Sequence, residues 1–360
     1  MIPGSATAAG TRRYAARFSP APGYFRSFAQ LTTSSIGLGT YGGDADEQTD
    51  RLYEESVRHA LTAGCNVLDT AVAYRHQRSE RVIGRSLAAL IECRRVARDE
   101  VIVSSKAGFL PFDANYAGTV WEYYKETFFR SGLVAPSEVV APGHCIAPAF
   151  LRHQIEMSRR NLGCSTIDIF YLHNPDAQLA NVGAAELYRR IRAAFASLEE
   201  AAAAGLIRWY GVSTWQGFTP ADASPDALSL DGLDRCAREV AGDRHRFRAV
   251  MLPINAARID APCRERQHDR FDALLPAAAE RGLMVTAAAA LNGGRLARAS
   301  STTALSTLTP AQAALQRVLA IAGVTVALVG MKTSEHVDEN LQMAFGGAAM
   351  ACVGGQSEVT

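Results

Sequence analysis

The sequence has no C-x-x-C pair. Its seven cysteines, Cys65, Cys93, Cys145, Cys164, Cys236, Cys263 and Cys352, are odd in number and scattered along 360 residues. That argues against a disulfide framework and a structural zinc site, and a reducing cytoplasm is the simplest home. His144-Cys145 and the His153/Cys164 neighbourhood lack metal-ligand spacing, so no metal is expected. No apolar run reaches the roughly 18 residues of a membrane-spanning helix. The longest Ala-rich stretch, Leu274 to Leu291, is broken by Pro276, Glu280 and Arg281. Net charge is nearly absent, with 37 Lys and Arg against 36 Asp and Glu. No global field therefore attracts nucleic acid or an anionic membrane, and the short basic run Arg244–Arg248 reads as a solvated turn. At 48% hydrophobic and 20% charged residues, the chain has the composition of a folded globular protein. Near-zero net charge neither requires nor prevents self-association, so the oligomeric state is not read from the sequence.

Acidic residues are missing before Asp44, whereas Arg12, Arg13, Arg17 and Arg26 are present. A transit peptide shares that bias. The preferred reading is structural: Arg13–Phe18 and Tyr24–Phe28 as two short strands around the turn Ser19–Gly23.

Beyond that segment strands and helices alternate. The patterns predict strands at Ser35–Gly39, Asn66–Asp69, Val101–Ser104, Ile167–Leu172, Leu206–Val212, Ala249–Ile254, Leu283–Ala288 and Val324–Val329. They predict helices at Glu47–Ala63, Ser79–Leu90, Pro148–Leu162, Ala184–Ala204, Leu230–Ala241, Phe271–Arg281, Pro310–Ile321 and Ser334–Ala344. Eight such alternations imply a parallel sheet, and in this length a closed (β/α)8 barrel of the α/β class, a TIM barrel. An open doubly wound sheet is the alternative. Its G-x-G-x-x-G turn is absent, because Gly37-Leu38-Gly39 runs into Thr40-Tyr41-Gly42-Gly43. Two connections, Ala107–Ala147 and Thr214–Ser229, are long, and both follow strands. In a barrel both sit at the C-terminal rim, where barrel enzymes keep their chemistry. The first carries Trp121, Tyr123, Tyr124, Phe128 and Phe129, which fit either a lid over an apolar ligand or self-packing on the rim. One domain over 1–345 is expected, with 1–33 as an N-terminal arm and hairpin and 346–360 as a flexible C-terminal tail.

Polar residues collect at the strand ends. Asp69 ends the second strand with Tyr74 five residues on, Lys106 follows the third, His173 the fourth and Ser213 the fifth. Singly each has an ordinary explanation. Together their physics fits one task. A phenol titrates near ~10; an adjacent ammonium lowers that value, and a carboxylate keeps the ammonium charged. Asp, Lys and Tyr would make a proton donor tuned toward neutral pH, and His would hold the group that receives the proton.

These residues carry a resemblance to the aldo-keto reductase superfamily, running from about Ser35 to Leu341. Asn66–Gly84 resembles the family's Asp-Thr-Ala-x-x-Tyr block with its trailing Ser-Glu-x-x-x-Gly. Ser105-Lys106, Tyr171–Asp176, Gly211–Thr214 and Gly330–Leu341 resemble four further family motifs in the same order. The spelling after Tyr74 is similar to that of a bacterial subgroup. The resemblance implies a barrel whose bottom is plugged by the N-terminal hairpin. It implies NADP(H), with NAD(H) as the alternative, and hydride transfer between the nicotinamide and an aldehyde or ketone, or the alcohol in reverse. Tyr74 would be the acid/base, Lys106 paired with Asp69 would lower its pKa, and His173 would orient the carbonyl. Gly39, Thr40, Ser213, Thr214, Met251 and Gly330 would line the cofactor site. Lys332, Thr333 and His336 would face the 2′-phosphate, and Glu339 and Asn340 the adenine. Trp121 and Trp215 would border the substrate.

Several positions depart from the family pattern. His336 stands where an Arg is frequent, Thr214 where Asn is usual, and Met251 where Gln is usual. The stretch Thr286–Ala290 has no aromatic to stack on the nicotinamide, a place Trp215 could fill. A nucleotide-sensing regulatory or binding subunit on the same scaffold is therefore kept as the second reading, and a Schiff-base aldolase using Lys106 as the third.

Overall fold

The computed structural model describes residues 1–140, 143–216, 218, 228–259, 273–298 and 308–345. The expected tail, 346–360, and most of the connection after Thr214 lie outside the described residues.

An antiparallel hairpin, β1 (Phe25–Phe28) and β2 (Leu31–Ser34), precedes eight strands. These are β3 (Ile36–Gly39), β4 (Val67–Asp69), β5 (Ile102–Ala107), β6 (Ile167–His173), β7 (Ile207–Ser213), β8 (Phe247–Pro253), β9 (Met284–Ala288) and β10 (Val326–Gly330). They close into a barrel in chain order, with β10 pairing β3, and every pair is parallel. The (β/α)8 expectation is met.

Local chemistry places the helices. Glu47–Thr62 starts where the Asp46 carboxylate accepts from the Thr49 N–H at 2.7 Å. Pro148–Leu162 opens on proline and closes on Gly163 in the left-handed region. Pro310–Leu319 opens with a capping box between Thr309 and Gln312. The segment expected as one helix from Ala184 is helical over Leu179–Ala203, broken at Gly183 (φ 73°). Among the described residues no helix is long and apolar enough to cross a membrane.

The N-terminal hairpin is displaced from its expected place. Arg13–Phe18 is not a strand: Ala8–Ala15 is a helix capped by Thr7, whose hydroxyl accepts from the Gly10 N–H at 2.9 Å. The hairpin pairs Tyr24's successors with Leu31–Ser34 instead, around Ala29 and Gln30 with φ of 44° and 70°. Such a two-residue turn normally advertises itself as Asn-Gly or Asp-Gly; Ala-Gln does not. The hairpin does plug the barrel. Phe28 and Leu31 belong to one buried cluster with Val67, Ile102, Ile169, Val326 and Leu328, and Phe28 meets Trp209 edge-on at 5.2 Å. A second, larger cluster fills the layer between barrel and helices.

Register sets the site. Residues paired across parallel strands share a face, and alternate residues along a strand face opposite ways. Gly39 pairs with Asp69 and Gly330, Lys106 with Tyr171, His173 with Ser213, and Ser213 with Met251. Tyr171 and Met251 lie in the interior cluster. Asp69, Lys106, His173 and Ser213 therefore face inward, at the C-terminal ends of four successive strands.

Candidate active site

Asp69 and Lys106 form a buried ion pair. The Lys106 Nζ lies 2.5 Å from Asp69 Oδ2 and donates to the Thr70 carbonyl at 2.8 Å, while Ser104 Oγ donates to Asp69 Oδ1 at 2.7 Å. Side-chain exposures of 1% and 6% put both charges out of bulk water. Such a pair persists only where further hydrogen bonds satisfy its atoms, and here Thr70 and Ser104 supply them. Burial opposes the charge on Lys106, but Asp69 and the neighbouring phenol outweigh it, and the ammonium titrates above its ordinary value. A lysine held so firmly charged is a poor Schiff-base nucleophile, which removes support from the aldolase reading.

Tyr74 sits on the turn after β4. The Lys106 ammonium lies 4.8 Å from its ring centroid, and the His173 ring meets it edge-on at 5.8 Å. Against expectation, the phenol is not tuned toward neutral pH. Burial raises its pKa, Lys106 lowers it, Asp69 raises it again, and the net direction is upward. Desolvation of the phenolate wins, so Tyr74 stands protonated near neutrality.

His173 is held neutral. Burial, then the Lys106 charge, then His144 push its pKa well below the ordinary value. Its Nδ1 is buried and has no hydrogen-bond partner.

The turn that carries Tyr74 is strained. Arg75, His76 and Gln77 all have positive φ (48°, 54° and 69°). Each costs roughly 1–2 kcal/mol relative to a right-handed conformation. Both flanks hold them there. The Arg75 guanidinium donates to the carbonyls of Asp44 (2.7 Å) and Asp46 (3.2 Å) and pairs with Asp50 at 2.5 Å. On the other side Ala114 N–H donates to the His76 carbonyl at 3.1 Å, and Gln77 Nε2 donates to the Phe112 carbonyl and the Tyr123 hydroxyl.

The remaining expected residues lie around the barrel mouth and on its rim. Thr40 is buried and spent on structure: its N–H and hydroxyl both donate to the Asp69 carbonyl (3.1 and 3.2 Å), and its own carbonyl accepts from Ser79 Oγ at 2.7 Å. Thr214 N–H donates to the Met251 carbonyl at 2.9 Å, and the Met251 side chain is enclosed in the barrel interior. Gly39 and Gly330 pair at the mouth, where a Cβ on Gly330 would meet nothing within 4 Å. Lys332, Thr333 and His336 gather at the start of the helix Ser334–Phe345. The Thr333 hydroxyl accepts from the His336 N–H at 3.4 Å, and the Asn340 amide donates to the His336 carbonyl at 2.8 Å. Asn340 Oδ1 is buried with no partner, and the Glu339 side chain is half-exposed. Trp121 is 59% exposed and packs on Phe129 at 5.9 Å. Tyr123, Tyr124 and Phe128 pack on one another, which is the self-packing alternative for that connection. Trp215 is about half-exposed beside Thr214.

Sequence reasoning missed Tyr41, whose exposed ring stands edge-on to Tyr74 at 5.0 Å. Its place directly after a strand end was the available signal. Nothing local marked Ser104, Arg75 or His144.

Comparison with known proteins places the fold in a family. The family model described as Aldo/keto reductase family matches residues 35–226. The chain belongs to the aldo/keto reductase family, a family of oxidoreductases. It is 26% identical over 151 residues to the NADH-specific methylglyoxal reductase of Escherichia coli (strain K12), covering 40% of this chain and 39% of that one. It is 26% identical over 191 residues to the aldo-keto reductase YhdN of Bacillus subtilis (strain 168), covering 51% and 44%. The chain thus spans about two-fifths of the length of these relatives. Among solved structures, the aldo/keto reductase from Klebsiella pneumoniae in complex with NADP and acetate superposes with a TM-score of 0.59 at 21% identity, covering 89% of each chain. That likeness concerns the fold.

Proposed function

We propose that this chain is an NADP(H)-dependent oxidoreductase interconverting an aldehyde or ketone with its alcohol, with Tyr74 as the acid/base. The supporting observation is the Lys106 ammonium standing between Asp69 and Tyr74 at the barrel mouth, with the His173 ring against Tyr74.

The residues present fit a nicotinamide dinucleotide. Gly330 leaves open space at the mouth. Lys332, Thr333 and His336 surround a helix N-terminus, where backbone N–H groups and the helix dipole favour a phosphate. The unpartnered Asn340 Oδ1 is an acceptor suited to an exocyclic amine. Gly39, Ser213 and Thr214 would back the reactive ring, with Thr40 and Met251 packed behind them, and Glu339 would join Asn340 at the base. Trp121 and Trp215 would border the substrate. Lys332 favours NADP(H) over NAD(H), although His336 supplies less to a 2′-phosphate than a guanidinium would. When bound, the cofactor supplies or takes the hydride.

The chain's own residues manage the proton and the geometry. Tyr74, protonated, donates its phenolic proton to the oxygen that becomes a hydroxyl. Lys106 stabilises the phenolate left behind, and Asp69 keeps Lys106 charged and placed. His173, neutral, donates one ring N–H to the carbonyl oxygen and orients it. General acid catalysis of this kind supplies about 10²–10⁴-fold. Residues 1–345 would act as one domain. A cytoplasmic setting and a small-molecule carbonyl or alcohol partner accord with the reading.

Fluorescence titration with NADPH and NADH, followed by turnover on a panel of aldehydes and ketones, tests it. Saturable NADPH binding with turnover is expected. Binding without turnover on any of them would point to a nucleotide sensor instead.

A further inference from the structure

Two imidazoles, His144 buried and His173 half-buried, flank one phenyl ring. Phe109, two residues beyond β5, lies 5.2 Å from the His173 ring at 87° and 4.8 Å from the His144 ring at 82°. His144 is fully buried. Its Nε2 is 2.7 Å from the His173 backbone carbonyl, and its Nδ1 is 3.0 Å from Gln178 Nε2. A carbonyl only accepts, so Nε2 carries the proton. Gln178 Oε1 accepts from Arg190 at 3.1 Å, which turns the amide nitrogen toward His144 and makes Nδ1 the acceptor. Both contacts specify the same neutral tautomer, and burial favours that form. Glu186 in turn pairs with Arg190 at 2.8 Å.

The His144 backbone is equally constrained. It exchanges two hydrogen bonds with Val140, both 2.8 Å, and the next residue, Cys145, donates to the Gly108 carbonyl at 2.7 Å. A Cβ on Gly108 would come within 2.3 Å of the His173 carbonyl oxygen and 2.8 Å of His144 Nε2, so only glycine admits this approach.

His173 itself lacks such anchoring. With no partner on Nδ1, its ring is oriented by edge contacts to Phe109 and Tyr74 and by the position of its own backbone. That backbone turns sharply: Asn174 takes φ 49° and donates to the Ser213 carbonyl at 2.6 Å. Gln178 lies five residues past His173, so His144 grips both ends of the turn.

We infer that His144 is a positioning residue for His173, clamping the His173 carbonyl to Gln178 and, through Phe109, fixing where the His173 imidazole stands at the barrel mouth. The inference rests on the reading of His173 as the group that orients the carbonyl substrate. Misplacing such a group by about 1 Å costs on the order of 10²-fold in rate.

The test uses full-length His144→Phe, which keeps a ring and loses both hydrogen bonds, and His144→Gln, which keeps a donor at similar reach. His144→Phe should lower kcat about 10- to 100-fold with little change in KM, leave NADPH affinity unaltered, and be largely rescued in His144→Gln. A readout independent of turnover is the ¹⁵N spectrum of the histidine-labelled protein. The His173 ring should shift or broaden in His144→Phe and return toward wild type in His144→Gln. Unchanged kcat and unchanged His173 signals in His144→Phe overturn the inference. So does equal loss in both variants, which would make His144 a packing residue. If wild type reduces no carbonyl compound, the functional reading fails, and the His173 spectra alone still decide the positioning role.

Discussion

The Lys106 ammonium lies 4.8 Å from the centre of the Tyr74 ring and is paired with the Asp69 carboxylate at 2.5 Å. Asp69 therefore secures the ammonium whether or not Tyr74 has lost its proton. Lys106 is in place before a phenolate forms, an arrangement that favours charge developing in the transition state over charge in the resting enzyme.

Replacing Tyr74 with Phe removes the proton donor and leaves the ion pair intact. The expected loss in kcat is about 10²–10⁴-fold, with NADPH titration unchanged. In wild type the phenol is held protonated above its usual ~10, because burial outweighs Lys106. The acid form is present below that raised value and lost as pH rises through it. Reductive turnover should therefore show no basic limb near neutrality. A pH–rate profile with a decline between about 7 and 8, absent in a Tyr74-independent binding assay, would contradict this order of effects.

Lys106→Met strands the Asp69 carboxylate in a dry site with Ser104 as its remaining partner. Breaking a buried pair on one side costs about 3–5 kcal/mol. Lys106→Met should thus be markedly less stable in urea denaturation and catalytically impaired. The double variant Lys106→Met/Asp69→Asn, which removes the orphaned charge, should regain most of the stability and none of the activity. Regained activity in the double variant would show that Lys106 serves the fold alone.

The barrel and the four inward residues were legible because each signal is local. A strand ends, and the next residue is Asp, Lys, His or Ser. Tyr74 was legible by its five-residue offset from Asp69. Other features depend on distant residues. The hairpin turn is built from Ala29 and Gln30 rather than a glycine pair, so its position was misread. The upward direction of the Tyr74 pKa is set by how deeply the packed rim buries it. His144 reaches His173 through a connection of some forty residues between β5 and the helix Pro148–Leu162, and no spacing rule links the two. Arg75 sat beside Tyr74 in plain view, but its partner Asp50 lies on another helix.

Acid should destabilise the fold early. His144 and His173 are both depressed by burial, and His173 also by Lys106 and by His144 itself. In the unfolded chain each takes a proton below about 6.5; in the folded protein each stays neutral to lower pH. The unfolded state then binds more protons, and stability falls as pH drops from about 6.5 toward the folded values. Each histidine contributes a slope of at most about 1.4 kcal/mol per pH unit within that window. Urea midpoints measured across it should fall, and His144→Phe should flatten the slope by about one histidine. A flat profile from about pH 6.5 to 5 would mean that the two rings are charged in the native state.

Two glycines at the rim should respond oppositely to a methyl group. At Gly108 a Cβ collides with the His173 carbonyl at 2.3 Å, a rigid backbone atom. Gly108→Ala must push β5 and β6 apart at their C-terminal ends, where Lys106 and His173 sit, so it should lose both stability and turnover. At Gly330 a Cβ meets nothing within 4 Å, and the residue is exposed. Gly330→Ala should fold with wild-type Tm. Enlarging the side chain to Leu should still leave Tm nearly unchanged, yet it projects into the open space at the barrel mouth where the proposed dinucleotide would lie. NADPH affinity should then fall by at least about tenfold, roughly 1.4 kcal/mol, while Asp69, Tyr74, Lys106 and His173 stay in place. Thermal denaturation and fluorescence titration separate the two glycines. Undiminished NADPH binding by Gly330→Leu would move the cofactor away from this side of the mouth and detach Lys332, Thr333 and His336 from it.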